Sequence, residues 1–231
     1  MSRISQAFAN RKAFIGYLTA GDADKCRFLS LIEMGVNILE IGIPFSDPIA
    51  DGPVIQKAMQ RSLDANTTPL KVLRLVEELR QETDVALILF SYFNPIQKDL
   101  GKFLFQAKQS GADGILIVDL PLEESASYRL LCKTLGLCPV FLVAPSTPVE
   151  RIQEISSASE EFIYYACRKG TTGAKCSLPD DLEQKVAEIR ARTHLPIAVG
   201  FGISSRETAD AVLKIADGFV VGSHFVEGNS L

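Results

Sequence analysis

Eight short, nearly unbroken apolar runs recur along the 231 residues, and longer segments with helical periodicity separate them. The runs are 13–19 (AFIGYLT), 37–43 (NILEIGI), 85–90 (VALILF), 114–119 (GILIVD), 139–144 (PVFLVA), 161–166 (EFIYYA), 196–200 (PIAVG) and 218–221 (GFVV). A strand this apolar has no solvent face, so it must be buried on both sides, as in a parallel sheet covered by crossover helices. In the intervening segments, apolar residues return at three and four: Phe28, Leu29 and Ile32; Val72, Leu73, Val76 and Leu79; Leu100, Phe103, Leu104 and Ala107; Leu182, Val186 and Ile189. These read as amphipathic helices. Eight such units predict a closed α/β barrel of the TIM (β/α)8 type. The rival is an open doubly wound sheet, which usually carries a glycine fingerprint after its first strand. Here that position reads Thr19-Ala20-Gly21-Asp22, and the chain contains no GxGxxG. The expectation is one domain over residues 1–231. Only His224 to Leu231 follow the last run, too few for a full final helix.

Composition excludes several classes of function. A formal net charge of −4 argues against nucleic acid as a partner. No stretch approaches the roughly 18 apolar residues of a spanning helix, and the N-terminus lacks a signal-peptide core. The cytoplasm and no membrane partner are therefore expected. The five cysteines at 26, 132, 138, 167 and 176 form no CxxC pair and no metal spacing, which fits reduced thiols.

In a barrel of this kind, the loops at the C-terminal ends of the strands carry the chemistry, and phosphate is commonly bound after the seventh and eighth strands. After the sixth run comes Arg168-Lys169-Gly170-Thr171-Thr172-Gly173-Ala174, after the seventh Gly200-Phe201-Gly202-Ile203-Ser204, and after the eighth Gly222-Ser223. Glycine admits an anion close to backbone N–H groups, and a following helix adds partial positive charge. One such loop could be an ordinary turn; three together point to a small phosphorylated ligand. The reacting end of that ligand then belongs near Glu40 and Asp51. Asp51 could equally pair with a base or cap a helix. Glu40 is harder to explain structurally, because Ile38, Leu39, Ile41 and Ile43 supply no cation and burial would raise its pKa. A carboxyl so placed suits general acid-base work near neutral pH. His194 and His224 form no pair with ligand spacing, so no metal is expected, and no lysine stands out for a Schiff base.

The chain resembles the α subunits of tryptophan synthase. The resemblance rests on Leu18-Thr19-Ala20-Gly21-Asp22, on Glu40-Ile41-Gly42-Ile43-Pro44-Phe45-Ser46-Asp47-Pro48 followed by Asp51-Gly52-Pro53, and on Tyr92-Phe93-Asn94-Pro95. Asp119-Leu120-Pro121, Gly170-Thr171-Thr172-Gly173 and Gly200-Phe201-Gly202-Ile203-Ser204 complete it. It implies reversible retro-aldol cleavage of indole-3-glycerol phosphate to indole and glyceraldehyde 3-phosphate. Glu40 would protonate indole C3, Glu40 or a water would take the glycerol hydroxyl proton, and Asp51 would accept the indole N–H. By the same resemblance Tyr164 is the active-site tyrosine, although the adjacent Tyr165 leaves the facing of this pair open. Gly173, Gly202, Gly222 and Ser223 would hold the phosphate, and Tyr17 and Phe201 would line the indole pocket.

The resemblance also implies a β subunit carrying pyridoxal phosphate, an αββα heterotetramer and no cofactor in this chain. Pro44, Asp47 and Asn94 would face that partner. The loop from Arg168 to about Pro179 would close over ligand, with Thr172 meeting the Asp51 loop. Two departures stand out: Tyr17 replaces a more familiar phenylalanine, and Lys169 and Thr171 replace a small residue and a valine. Two other readings compete with an active lyase. One is a catalytically weak activator of the β subunit; the other is a different phosphate-binding barrel enzyme, such as a sugar-phosphate epimerase or a thiamine-phosphate synthase.

Overall fold

A computed structural model describes residues 1–9, 12–167, 178–200 and 202–231. Parallel strands β1 (Ala13–Thr19), β2 (Ile38–Gly42), β3 (Ala86–Ser91), β4 (Gly114–Ile117), β5 (Cys138–Val140), β6 (Leu142–Val143), β7 (Ile163–Ala166), β8 (Ile197–Gly200) and β9 (Gly218–Val221) form one sheet. Their spatial order is β5-β4-β3-β2-β1-β9-β8-β7-β6. Because β5 and β6 are separated by Phe141 alone, the two ends of this order meet and the sheet is a nearly closed barrel. The run expected at 139–144 as one strand is thus divided. Its first half pairs with β4, with Leu116 opposite Val140, and its second with β7, with Leu142 opposite Tyr164. Proline at 139 leaves the first half without one ladder donor.

Helices α1 (Arg3–Phe8), α2 (Lys25–Glu33), α3 (Pro53–Asp64), α4 (Pro69–Glu82), α5 (Leu100–Gln109), α6 (Ala126–Leu135), α7 (Val149–Ala158), α8 (Leu182–Arg190), α9 (Arg206–Leu213) and α10 (Ser223–Val226) complete the described structure. Several starts are set by sequence. Asp24 and Ser205 accept the backbone N–H of Arg27 and Thr208, and Pro53 and Pro69 occupy first helical positions, where a missing N–H costs nothing. No helix among the described residues is long and apolar enough to cross a membrane.

Alternation along the strands creates two apolar layers. Leu39, Ile41, Leu87, Leu89, Ile115 and Val199 face the helices, whereas Ile15, Tyr17, Ile38, Ile88, Leu116 and Ala198 fill the barrel. At the N-terminal end of the strands, Ile4 and Phe8 of α1 belong to the inner layer, and the Phe8 and Phe162 rings lie 5.2 Å apart. A floor of side chains therefore closes that end. Glycine at the start of β9 leaves room for it, since a Cβ on Gly218 would lie 3.1 Å from Phe8 Cε1 and 2.7 Å from Ala13 Cβ.

After β9, α10 has four residues, consistent with the short ending read from the sequence. Phe225 is nonetheless fully buried, and its ring centroid is 5.9 Å from that of Phe14, which stacks on Phe219 at 4.6 Å. Arg27 of α2 donates to the Phe225 and Asn229 carbonyls at 3.2 and 3.4 Å, tying the last segment to its neighbour.

A candidate active site at the barrel mouth

Glu40 lies on β2 opposite Tyr17 of β1 and Ile88 of β3, so its side chain points into the barrel between two inner-layer residues. It is 1% exposed, and its Oε1 has no hydrogen-bond partner among the described residues. Burial alone pushes its pKa up to about 8. An apolar run interrupted by one acid has thus been folded into a neutral barrel with a proton to give.

Asp51 follows β2 by way of a tight turn in which its own N–H donates to the Pro48 carbonyl at 3.0 Å. Gln56 of α3 donates to the Asp51 carbonyl at 2.8 Å, so the backbone is clamped from both sides. Among the described residues, Asp51 neither pairs with a base nor caps a helix. Gly52, not Asp51, caps α3, and the group that meets the carboxylate is the Tyr92 phenol, which donates to Oδ2 at 2.7 Å. Burial raises the Asp51 pKa to about 6, and the Tyr92 bond opposes that rise. Tyr92 was not singled out from the sequence, although it sits in the Tyr92-Phe93-Asn94-Pro95 motif directly after β3.

The tyrosine pair resolves by register. Tyr164 lies opposite Leu142 and Ala198 in the inner layer, whereas Tyr165 packs with the helix-facing layer. Tyr164 and Tyr17 use the same device: each lies over a glycine on a neighbouring strand. A Cβ on Gly200 would fall 2.6 Å from Tyr164 Oη, and one on Gly42 would fall 2.3 Å from Tyr17 Oη. Alanine at either place would evict the phenol. Burial raises both phenol pKa values, and the negative charges of Glu40 and Asp51 raise them further. Both rings therefore stand within electrostatic reach of both acids. Tyr17 also shares a hydrogen bond with the buried Thr19 hydroxyl at 3.2 Å and meets Phe90 edge-on at 5.3 Å.

Of the expected phosphate loops, Gly222 precedes α10, and a Cβ added there would lie 3.8 Å from both Tyr17 Cβ and Ile55 Cδ1. That places the loop leaving β9 against the ring flanking Glu40. Ser223 opens α10, and Gly202 adopts φ +81°, a conformation that L side chains rarely take. Thr172, Gly173 and Phe201, and most of the expected closing loop, lie outside the described residues. Pro44 is buried, while Asp47 and Asn94 are exposed on the loops leaving β2 and β3. No cluster of metal-ligating side chains occurs among the described residues.

At pH 7 the carboxyl near 8 holds its proton and the one near 6 has lost it. One pocket therefore offers an acid and a fixed anion, the pairing that lets two carboxylates take different roles.

Comparison with known proteins gives a consistent picture. The family model for the tryptophan synthase alpha chain matches residues 4–229. A tryptophan synthase alpha chain of Coxiella burnetii (strain CbuK_Q154) is 47% identical over 98% of this chain and 90% of its own length. Among solved structures, Mycobacterium tuberculosis tryptophan synthase superposes with a TM-score of 0.91 at 31% identity, covering 98% of this chain and 90% of that one. A chain from the tryptophan synthase a2b2 complex of Pyrococcus furiosus gives 0.87 at 39% identity, covering 93% and 89%.

Proposed function

The chain belongs to the tryptophan synthase alpha chain family, and from that premise we propose how its own residues divide the family's reaction. The protein is a carbon–carbon lyase that cleaves indole-3-glycerol phosphate reversibly to indole and glyceraldehyde 3-phosphate in tryptophan biosynthesis. Breaking the bond between ring and side chain requires somewhere for the electron pair to go. Protonation at indole C3 creates that sink, an iminium-like ring with positive charge on nitrogen. Glu40 delivers the proton. Asp51 accepts the ring N–H and faces the charge as it develops, a preorganised electrostatic contribution of roughly 3 to 4 kcal/mol by analogy with an oxyanion-hole donor. The hydroxyl on the carbon attached to the ring then loses its proton, the carbon–carbon bond breaks, and the pair returns to the ring. Glu40, now a carboxylate, is positioned to take that proton, which restores its starting state. Tyr164 is the third polar group of the reacting centre, and Tyr17 and Phe201 flank the indole.

The phosphate is assigned to Gly173, Gly202, Gly222 and Ser223. Support comes from the nearness of Gly222 to Tyr17, since a Cβ added to the glycine would lie 3.8 Å from Tyr17 Cβ, beside the ring that flanks Glu40. Closure of the loop from Arg168 to about Pro179, with Thr172 meeting the Asp51 loop, would exclude water during the step. Residues 1–231 act as one cytoplasmic domain. The partner is a β subunit holding the pyridoxal phosphate, in an αββα assembly met through the exposed Asp47 and Asn94, with the buried Pro44 shaping the loop that carries Asp47. The Pyrococcus furiosus relative, solved within an a2b2 complex, supports that assignment.

The observation that carries this reading is the pair of buried acids at the C-terminal end of β2, Glu40 with an oxygen that has no hydrogen-bond partner among the described residues and Asp51 held by the Tyr92 phenol. Cleavage should be assayed for wild type and Glu40→Gln, each with and without the β partner. The variant should lose on the order of 10²- to 10⁴-fold in kcat. Equal inactivity of both proteins with partner present, alongside a normal stimulation of the β subunit, would instead identify a non-catalytic activator.

A further inference from the structure

We propose that Tyr92 is a positioning residue for Asp51, its phenol fixing the plane of the carboxylate so that one oxygen is presented to the ring N–H of the ligand. This rests on the reading of Asp51 given above. Tyr92 follows β3 directly and is fully buried, yet its hydroxyl serves the loop leaving β2. The oxygen accepts the Ala50 N–H at 3.0 Å while its proton goes to Asp51 Oδ2 at 2.7 Å. With donor and acceptor both engaged, the hydroxyl has one orientation. The ring is held in turn by Phe45, with centroids 5.2 Å apart, and the next residue, Phe93, donates its N–H to Asp119 Oδ1 at 2.7 Å. Two consecutive residues of the loop leaving β2, Ala50 and Asp51, are thereby pinned by one side chain. With Oδ2 engaged by the phenol, Oδ1 is the oxygen assigned to the ligand.

The bond also affects charge. Among the described residues, the ionisable groups around Asp51 are Glu40 on β2, the phenols of Tyr17 on β1 and Tyr164 on β7, and Tyr92 itself, with Asp119 acting on Tyr92 from beyond β4. Of these groups Tyr92 donates to the carboxylate, so it favours the ionised form that the reaction needs.

The test is Tyr92→Phe, which keeps the ring and removes the hydroxyl. A charge-assisted hydrogen bond of ordinary strength is equivalent to about one pH unit. The acid limb of kcat/KM should therefore move up by about one unit, leaving activity at about a fifth of wild type at pH 6 and close to wild type above pH 8. A uniform loss with an unmoved limb would reduce Tyr92 to a packing residue and overturn the proposal. Carbon-13 titration of the Asp51 carboxyl in both proteins gives the same answer without catalysis: the midpoint rises in the variant, or the proposal fails. If Asp51→Asn proved fully active, the catalytic reading of Asp51 would fall while this titration still decided the bond. Should Tyr92→Phe not fold, the wild-type Tyr92 hydroxyl proton decides. It should be a downfield, slowly exchanging signal that disappears in Asp51→Ala, and its survival there would overturn the assignment.

Discussion

Glu40 keeps its proton to about pH 8 in the folded chain, whereas the same side chain in an unfolded chain gives it up near 4.5. Below that lower value both states are protonated and the residue is indifferent to folding. As pH rises towards 8, the unfolded chain gains an ionisation that the native barrel does not, so native stability falls by a few kcal/mol and then levels off. Glu40→Gln removes the titration and little else. Urea unfolding from pH 4 to 9 should therefore show the variant gaining on wild type between about pH 4.5 and 8, with parallel behaviour outside that window. Parallel curves throughout would mean that Glu40 is not held neutral. The need for such a residue is visible in the sequence, because an acid among isoleucines and leucines has few structural uses. Tyr92 is not visible in that way. Its importance lies in a bond to a residue 41 positions earlier, and nothing local distinguishes its motif from a turn after a strand. The facing of Tyr164 and Tyr165 likewise becomes clear only when register assigns each to a layer.

Among the elements, the strands and main helices are legible because burial on both faces leaves an unbroken apolar run, and burial on one face leaves a period near 3.6. The division at Phe141 is not, since it depends on which neighbour each half of the strand meets. Helix α1 is six residues long and owes its place to the barrel it closes, so no periodicity announces it. The tripeptide Ala-Asp-Gly occurs three times, at Ala50-Asp51-Gly52, Ala112-Asp113-Gly114 and Ala216-Asp217-Gly218. In the last two copies the Asp precedes a strand and accepts a backbone N–H from the strand before, Leu87 at 2.9 Å and Ile197 at 3.0 Å. Each of these two also receives an arginine from the helix that leads into that earlier strand, Arg80 of α4 and Arg190 of α8. Asn37 performs the backbone part of the same task for β1, accepting the Phe14 N–H at 2.9 Å. Arg80 is partly buried beside Asp113 and donates as well to the carbonyls of Thr83, Val85 and Gly111. Arg80→Ala should cost about 3 kcal/mol in urea unfolding, since it strands a mostly buried carboxylate. Arg3, which meets the same Asp113 from a more exposed position, should cost less than about 1 kcal/mol when replaced by Ala. Equal costs would show that the network does not depend on burial.

At the scale of the whole molecule, the assembly proposed above gives the exposed residues of the mouth a partner to meet. Ile49 is 76% exposed on the loop that carries Asp47 and Asp51, a large apolar side chain left in water at the rim of the site. Ile49→Asp should leave the urea unfolding midpoint of the isolated chain within error of wild type. It should also weaken association with the β subunit at least about tenfold, as expected for an apolar anchor replaced by a charge. Titration calorimetry measures the second effect, and unchanged affinity would place the interface elsewhere on the rim. The floor formed by Ile4 and Phe8 bears on the same question from the opposite end. Among the described residues the vessel is stoppered at its base, so its neck is the doorway by which substrate enters and both fragments leave. Whatever is seated over that doorway governs the traffic: a closely fitted neighbour becomes the recipient of the released ring, and an ill-fitting one lets it escape to the surrounding water.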